Sequence, residues 1–200
     1  MDHFFSETPA TPDKRRIIDI SVDSTAYQFT VSSGVFSANR LDPGTAVLFR
    51  KAPRPGRGVF LDLGCGYGPI SCVFAHQSPK VTIYAVDVNE RALELVHENA
   101  LALGVADRVI AAKPDDVPAD VVFDGIYSNP PIHVGKEALH EMLLRWLPRL
   151  GPDGEAWLVV ARHLGGDSLR DWLVGQGWAA EKHASQKGYR ILKVGRAEAE

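Results

Sequence analysis

Apolar residues fall along the chain in short runs, and the segments between the runs carry helical spacing. Val59-Phe60-Leu61-Asp62-Leu63, Val81 to Val86, Arg108 to Ala112, Val121 to Tyr127 and Ala156 to Ala161 each predict a strand. Pro69 to His76, Glu90 to Leu103, Glu137 to Leu147 and Ser168 to Val174 predict helices between them. In the third, Leu139, Met142, Leu143 and Trp146 share one face. Ala179 to His183 and Tyr189 to Val194 read as a hairpin across Gln186-Lys187-Gly188. Upstream, Ile17 to Val31 alternates around Ser24-Thr25-Ala26 and predicts a smaller hairpin. Gly34 to Ser37 follows as a loop, and Asp42-Pro43 begins a helix running through Phe49, with Asp42 as N-cap and Pro43 at the first helical position. Strands this apolar, alternating with helices, predict an α/β fold. Its mostly parallel seven-stranded sheet carries helices on both faces, an antiparallel C-terminal hairpin and a small N-terminal β-hairpin. The chain reads as one domain over 1–200, with an N-terminal extension and hairpin over 1–40 and the core over 41–195.

Composition narrows the class. With 45% apolar and 24% charged residues the chain has an ordinary globular balance, and its net charge of −3 does not advertise a polyanion partner. The charge is unevenly spread: residues 14–57 hold eight basic side chains against three acids. Cys65 and Cys72 have neither the number nor the spacing of a metal site or disulfide framework, and the seven histidines show no paired metal spacing. The start, Met1-Asp2-His3-Phe4-Phe5-Ser6, is not a signal peptide, and no apolar run approaches membrane-spanning length. These features predict a soluble cytoplasmic protein with no metal. Residues 7–14 read as a flexible lead-in, Ala197 to Glu200 as a frayed end, and the four tryptophans as packing residues.

Two motifs carry chemistry. Leu61-Asp62-Leu63-Gly64-Cys65-Gly66-Tyr67-Gly68 joins the first core strand to its helix, and its alternate glycines permit a tight turn and close approach of a ligand to the backbone. Asp87 ends the next strand, where an acid accepts hydrogen bonds from both ribose hydroxyls of an adenosine. A dinucleotide fingerprint wants a glycine where Pro69 stands, and Asp62 beside the turn suits a cationic ligand better than a pyrophosphate. The second motif is Asn129-Pro130-Pro131-Ile132, at the end of the strand Val121 to Tyr127. The prolines interrupt strand and helix alike, hold the backbone extended, and leave Asn129 with a fixed acceptor and donor. Such a site suits a planar amine whose two N–H groups need two acceptors.

The glycine turn with Asp87 resembles motif I and the ribose acid of class I S-adenosylmethionine-dependent methyltransferases, a Rossmann-like family. Asn129-Pro130-Pro131-Ile132 resembles motif IV of their amino-directed members. Gly34-Val35-Phe36-Ser37, Leu41-Asp42-Pro43-Gly44-Thr45 and Gly188-Tyr189-Arg190-Ile191-Leu192 are similar to the small methyltransferase domain group, and the start Phe4-Phe5-Ser6-Glu7 is similar to its stand-alone archaeal relatives. That group includes the catalytic domain of ribosomal RNA small subunit methyltransferase C, a guanine-N2 enzyme. The resemblance implies S-adenosylmethionine as cofactor, held by Phe36, Asp62, Gly64, Cys65, Gly66, Gly68, Asp87, Val88, Asn89 and Asn129. It implies Asn129, Pro130, Pro131 and Ile132 as catalytic residues, Asp62 reaching the methionine amino group directly or through water, and RNA as substrate. The chain departs from the family in two places. Ile132 stands where many members carry a stacking aromatic, leaving Phe36 or His133 for that role. The third strand ends in Ala112-Lys113-Pro114, with Asp115 and Asp116 displaced from the usual adenine contact.

An exocyclic amine is a poor nucleophile because its lone pair is delocalised into the ring. Asn129 Oδ1 and the Pro130 carbonyl would accept its two hydrogens and aim the lone pair at the methyl group, so the rate would come from positioning and electrostatics. The basic segment over 14–57 would hold RNA phosphates. Other substrates with a planar nitrogen stay open at this point: a glutamine amide, DNA adenine or a small molecule. A nucleotide-dependent oxidoreductase and a non-catalytic module that binds S-adenosylmethionine or RNA also stay open, as does the choice between monomer and homodimer.

Overall fold

The computed structural model describes residues 11–37, 39–131 and 135–197. It opens on a hairpin of β1 (Arg15–Val22) and β2 (Thr25–Ser32), joined by Asp23 and Ser24 at φ 49° and 66°. That left-handed pair gives a two-residue turn whose twist matches its strands. There follow α1 (Pro43–Lys51), β3 (Gly58–Leu63), α2 (Pro69–Gln77), β4 (Val81–Val86), α3 (Glu90–Ala102), β5 (Val109–Ala112) and β6 (Phe123–Ser128). The chain ends with α4 (Lys136–Trp146), β7 (Leu150–Ala161), α5 (Gly166–Gly175), β8 (Trp178–Gln186) and β9 (Tyr189–Arg196). Seven strands form one sheet in the order β5-β4-β3-β6-β7-β9-β8, parallel except where β9 pairs with β7 and β8. This is the fold class that the apolar pattern predicts.

The order of strands creates the site. From β3 the chain winds outward through β4 and β5, then crosses back to place β6 on the other side of β3. Loops leaving the C-terminal ends of β3 and β6 therefore diverge and open a crevice, the usual ligand position in such sheets. Ser128 Oγ donates to Leu63 O at 2.7 Å and holds those two strand ends together.

The sheet is packed on both faces. On one, α2 buries Ile70, Cys72, Val73 and Phe74, and the Phe74 ring meets Phe49 and Tyr127 at centroid distances of 5.4 and 4.8 Å. On the other, Leu139, Leu143 and Trp146 of α4 cover Leu61, Val86 and Ile126. Trp146 and Trp157 are buried, while Trp172 and Trp178 are half-buried. The small hairpin lies on α3. Asn99 accepts from Thr30 N at 2.7 Å and donates to Thr30 O and Tyr67 O, both at 2.9 Å, so its buried amide is fully used in fastening hairpin, helix and glycine turn.

Two readings of the sequence change. The strand expected from Ala156 starts at Leu150, because Gly151 to Gly154 join the sheet through an irregularity opposite Phe123 to Gly125. A side chain at Gly154 would meet Phe123 O at 2.9 Å, so glycine admits that close approach of two backbones. Residues 12–14, expected to be flexible, are tied to the hairpin: Ser33 Oγ donates to Pro12 O, Ser32 Oγ to Asp13, and Lys14 N to Ser33 Oγ. Phe4-Phe5-Ser6-Glu7 and most of the Ala197 to Glu200 end lie outside the described residues. Among the described residues no helix is long and apolar enough to cross a membrane.

Candidate active site

At the end of β3 the chain turns through Gly64, Gly66 and Gly68, at φ 73°, 55° and 84°. Gly64 N and Cys65 N donate to Val86 O at 2.9 and 3.1 Å, which pins the turn to the end of β4. Gly66 N donates to Asp87 Oδ2 at 2.9 Å, and Asn89 N donates to Asp87 Oδ1 at 3.0 Å. Asp87 therefore shapes the turn while facing the same cavity. Enclosure pushes its carboxyl above the ordinary range, against the opposing pull of the Asn89, Gly66 and Val88 backbone N–H groups. At Gly68, which caps α2, a side chain would meet Val96 Cγ2 at 3.0 Å, so glycine lets α3 close on the turn.

Asp62 sits behind this turn and is turned away from the cavity. Its Oδ2 accepts from Ser71 N at 3.0 Å and from Ser71 Oγ, at the start of α2. Its Oδ1 is enclosed with no hydrogen-bond partner among the described residues. Burial pushes this carboxyl up to about 7, opposed by the two Ser71 bonds and assisted by the negative Asp87. The folded protein then holds a proton that the unfolded chain releases near pH 4. Asp62 thus contributes stability below pH 4 that is lost as pH rises to about 7. In the cofactor-free protein, urea unfolding from pH 4 to 7 should show wild type losing on the order of 3 kcal/mol relative to Asp62→Asn. Parallel pH profiles for the two proteins would refute the buried, protonated acid.

Beyond β6 stands Asn129. Its Nδ2 donates to Asp42 Oδ1 at 2.7 Å and to Thr45 Oγ1 at 3.0 Å. Asp42 Oδ1 also accepts from Gly44 N at 2.7 Å and Thr45 N at 3.0 Å, as N-cap of α1. A carboxylate offers only acceptors, so the atom facing it must be the amide nitrogen. Asn129 Oδ1 is thereby fixed as an outward acceptor.

A cavity of about 670 Å³ runs along these strand ends, within the usual size of a ligand pocket. It is lined by Gly64 and Gly66, by Asp87, Val88 and Asn89, and by Asn129, Pro130 and Pro131. Phe36, 36% exposed, borders it as well. The loop carrying Phe36 hangs on the start of α3, where Asn89 Nδ2 donates to Gly34 O at 2.9 Å and Arg91 Nη1 to Ser33 O at 2.8 Å. Asp62, Cys65 and Gly68 do not line the cavity. Ile132 and His133 lie outside the described residues.

Sequence reasoning missed part of the lining. Asp42 is legible as a helix cap but not as the partner of Asn129. Tyr189 reaches the cavity from the β8–β9 hairpin, with its ring against Gly44, and nothing in the sequence announces that contact. The wall beyond Asp87 is built by Pro114 with Met142, Arg145 and Trp146 of α4. Arg145 Nη2 donates to Pro114 O and pairs with Asp115, both at 2.7 Å, so α4 holds the loop after β5 in place. Lys113 pairs with Glu90 at 2.6 Å. The basic segment is also less available than its count suggests. Arg15 pairs with Asp13, Glu94 and Glu98, Arg54 pairs with Asp23, and Arg50 donates to Gln186.

The cavity suits an adenosine bearing a flexible tail. A carboxylate stands where ribose hydroxyls would donate, a turn without side chains runs alongside, and an amide acceptor follows beside the Pro130-Pro131 backbone.

Known proteins resemble the chain over most of its length. Residues 26–193 match the profile of the methyltransferase small domain. An uncharacterised Bacillus subtilis protein, YbxB, is 33% identical over 196 residues, 96% of this chain and 98% of its own length. Ribosomal RNA small subunit methyltransferase C of Pasteurella multocida is 35% identical over 164 residues, 79% of this chain and 49% of that enzyme. A solved structure, the T. thermophilus 16S rRNA N2 methyltransferase RsmC in complex with AdoMet and guanosine, superposes with a TM-score of 0.78 at 25% identity. That match covers 93% of this chain and 52% of the other. The chain thus spans about half the length of the ribosomal RNA methyltransferases it matches.

Proposed function

The chain belongs to the methyltransferase small domain family, and on that premise we propose that it methylates an exocyclic amine of RNA, with guanine N2 as the target. It is a class I methyltransferase, and its cofactor is S-adenosylmethionine. That cofactor supplies a methyl group activated on a sulfonium. The Asp87 carboxylate would accept from its ribose hydroxyls, the Gly64–Gly66 turn would let it lie against backbone, and Val88 and Pro114 would flank its adenine; all of these residues line the cavity.

One observation carries the choice of an amine: the locked amide of Asn129. With Nδ2 committed to Asp42 and Thr45, the oxygen is the atom left for the substrate. An amide nitrogen in that place would meet an amine N–H donor to donor. An oxygen accepts it, and the Pro130 carbonyl is the second acceptor. Two such bonds draw the nitrogen out of conjugation with its ring and aim its lone pair. These acceptors are set before the substrate arrives, so no reorganisation is needed at the moment of reaction. Guanosine in the related RsmC structure supports guanine as the base. Phe36 offers an apolar face for it at the cavity mouth.

The direct assay incubates the purified chain and methyl-labelled cofactor separately with naked ribosomal RNA, small ribosomal subunits, DNA and protein. Nucleoside mass spectrometry then identifies the product. The expected outcome is label in RNA recovered as N2-methylguanosine. Label confined to DNA or protein would overturn the reading.

A further inference from the structure

A second cavity, of about 470 Å³, lies between the first turns of α4 and α5 and shares His163 with the lining of the main one. Its polar lining is basic or neutral: Lys136 at the start of α4, His140 one turn further on, His163 after β7, and Ser168 in α5. Among the described residues no carboxylate lines it. The nearest acid in the α5 turn, Asp167, is engaged by Arg190 at 2.7 Å. Ser168 Oγ donates to Gly165 O at 3.0 Å, so the groups on offer are the Lys136 ammonium and the two imidazoles.

His140 is the most telling of these. Its ring is stacked on Trp172, with centroids 3.6 Å apart and planes 6° from parallel, which fixes the plane of the ring. Its Nε2 is enclosed and has no hydrogen-bond partner among the described residues. An enclosed polar atom without a partner is costly unless a ligand or water completes it. Burial and the positive Lys136 both hold His140 toward its neutral form. An anion seated between them would relieve that repulsion and give Nε2 its partner. Lysine and histidine donors with no competing carboxylate are the chemistry of a phosphate subsite.

Position gives the subsite its use. Lys136 follows Asn129-Pro130-Pro131 closely in the chain, and His163 borders both cavities. A nucleotide whose base is presented to Asn129 must carry its backbone within one nucleotide's span of that base. A glutamine side chain or a free nucleoside brings no such anion.

We propose that this second cavity is a backbone-phosphate subsite, in which Lys136, His163 and Nε2 of His140 hold a phosphodiester of the strand whose base meets Asn129. The proposal rests on the RNA reading above and deepens it: the substrate is recognised as a strand, by its phosphates, outside the base pocket.

The test uses an unstructured, fluorescently labelled RNA dodecamer, with affinity followed by anisotropy across a salt series. Lys136→Glu should weaken binding about 10-fold at low salt and flatten the salt slope by about 0.7 for each phosphate no longer neutralised. His163→Ala should do so to a smaller degree, and melting temperatures verify that both variants fold. In wild type, the His140 and His163 ring signals should move in NMR spectra as the RNA is added. Unchanged affinity and slope in Lys136→Glu, or ring signals unmoved by bound RNA, would overturn the subsite. If those results appear while the chain still methylates RNA, the subsite falls and the RNA reading stands. If the RNA is bound through Lys136 yet no RNA is methylated, the subsite stands and the RNA reading falls.

Discussion

Replacing Asn129 by alanine should lower the single-turnover rate of methyl transfer about 100- to 1,000-fold, the usual cost of deleting one preorganised polar group from a reacting centre. S-adenosylmethionine affinity should stay within about 3-fold of wild type, because that cost falls on the transition state and not on ground-state binding. The structure says why the loss is specific. The side chain sits at the end of a strand whose register is fixed by its neighbours, and Ser128 keeps its own bond to Leu63. Asp42 retains Gly44 N and Thr45 N as donors, so α1 stays capped when the amide is removed. What disappears is one oxygen facing the amine. Stopped assays at saturating cofactor and RNA give the rate, and calorimetry gives the affinity. A variant with an unchanged rate would remove Asn129 from the reacting centre. One that loses cofactor binding in step with the rate would make it a ligand residue.

How much of this was legible in the sequence depends on the range of the interaction. Helix α1 begins where Asp42-Pro43 predicts, because a cap and a first-turn proline act within a few residues. Strand β4 spans Val81–Val86 as its apolar run predicts, since a parallel inner strand needs apolar side chains on both faces. The glycine turn and Asp87 could be paired because the distance along a βαβ unit is nearly fixed by its geometry. Other features depend on contacts that no local pattern records. Asp62 looks like a cavity residue from its place beside the glycines. The alternation of the strand instead directs it to Ser71 and leaves Asp87 to face the cavity. Leu150 to Glu155 carries turn-forming glycines and proline, yet it belongs to β7 through the irregularity opposite Phe123. Arg15 counts as free positive charge in the sequence, while its partners Glu94 and Glu98 arrive from a helix far along the chain. The contact of Asp42 with Asn129 is of the same kind: each residue has a sufficient local reason to be there, and their meeting is settled by the packing of α1 against the sheet.

That meeting sets the second large effect. Asn129→Asp brings a carboxylate against Asp42, at a position where the present donor–acceptor distance is 2.7 Å. Two carboxylates so close cannot both ionise, and one keeps a proton or swings away. The single variant should lose about 1,000-fold in transfer rate, because the outward acceptor is misplaced and the start of α1 is disturbed. Asp42→Asn alone should cost about 10-fold: asparagine caps a helix as well as aspartate does, and only the charge that steadies the Asn129 amide is removed. The two changes together remove the repulsion: the oxygen at position 42 keeps Gly44 N and Thr45 N, and the amide nitrogen, in the place of the present Oδ2, is the donor to which the carboxylate at 129 must turn. The second carboxylate oxygen then faces the cavity as an acceptor. The double variant should therefore recover about 10- to 100-fold over Asn129→Asp, a coupling of the size seen between directly bonded side chains. A purely structural role for Asp42 makes the opposite forecast: the two losses would add, the double variant would be the slowest of the set, and the melting temperature would fall in parallel with the rate. Recovery of rate at constant melting temperature is the outcome that assigns Asp42 the orienting of the amine acceptor.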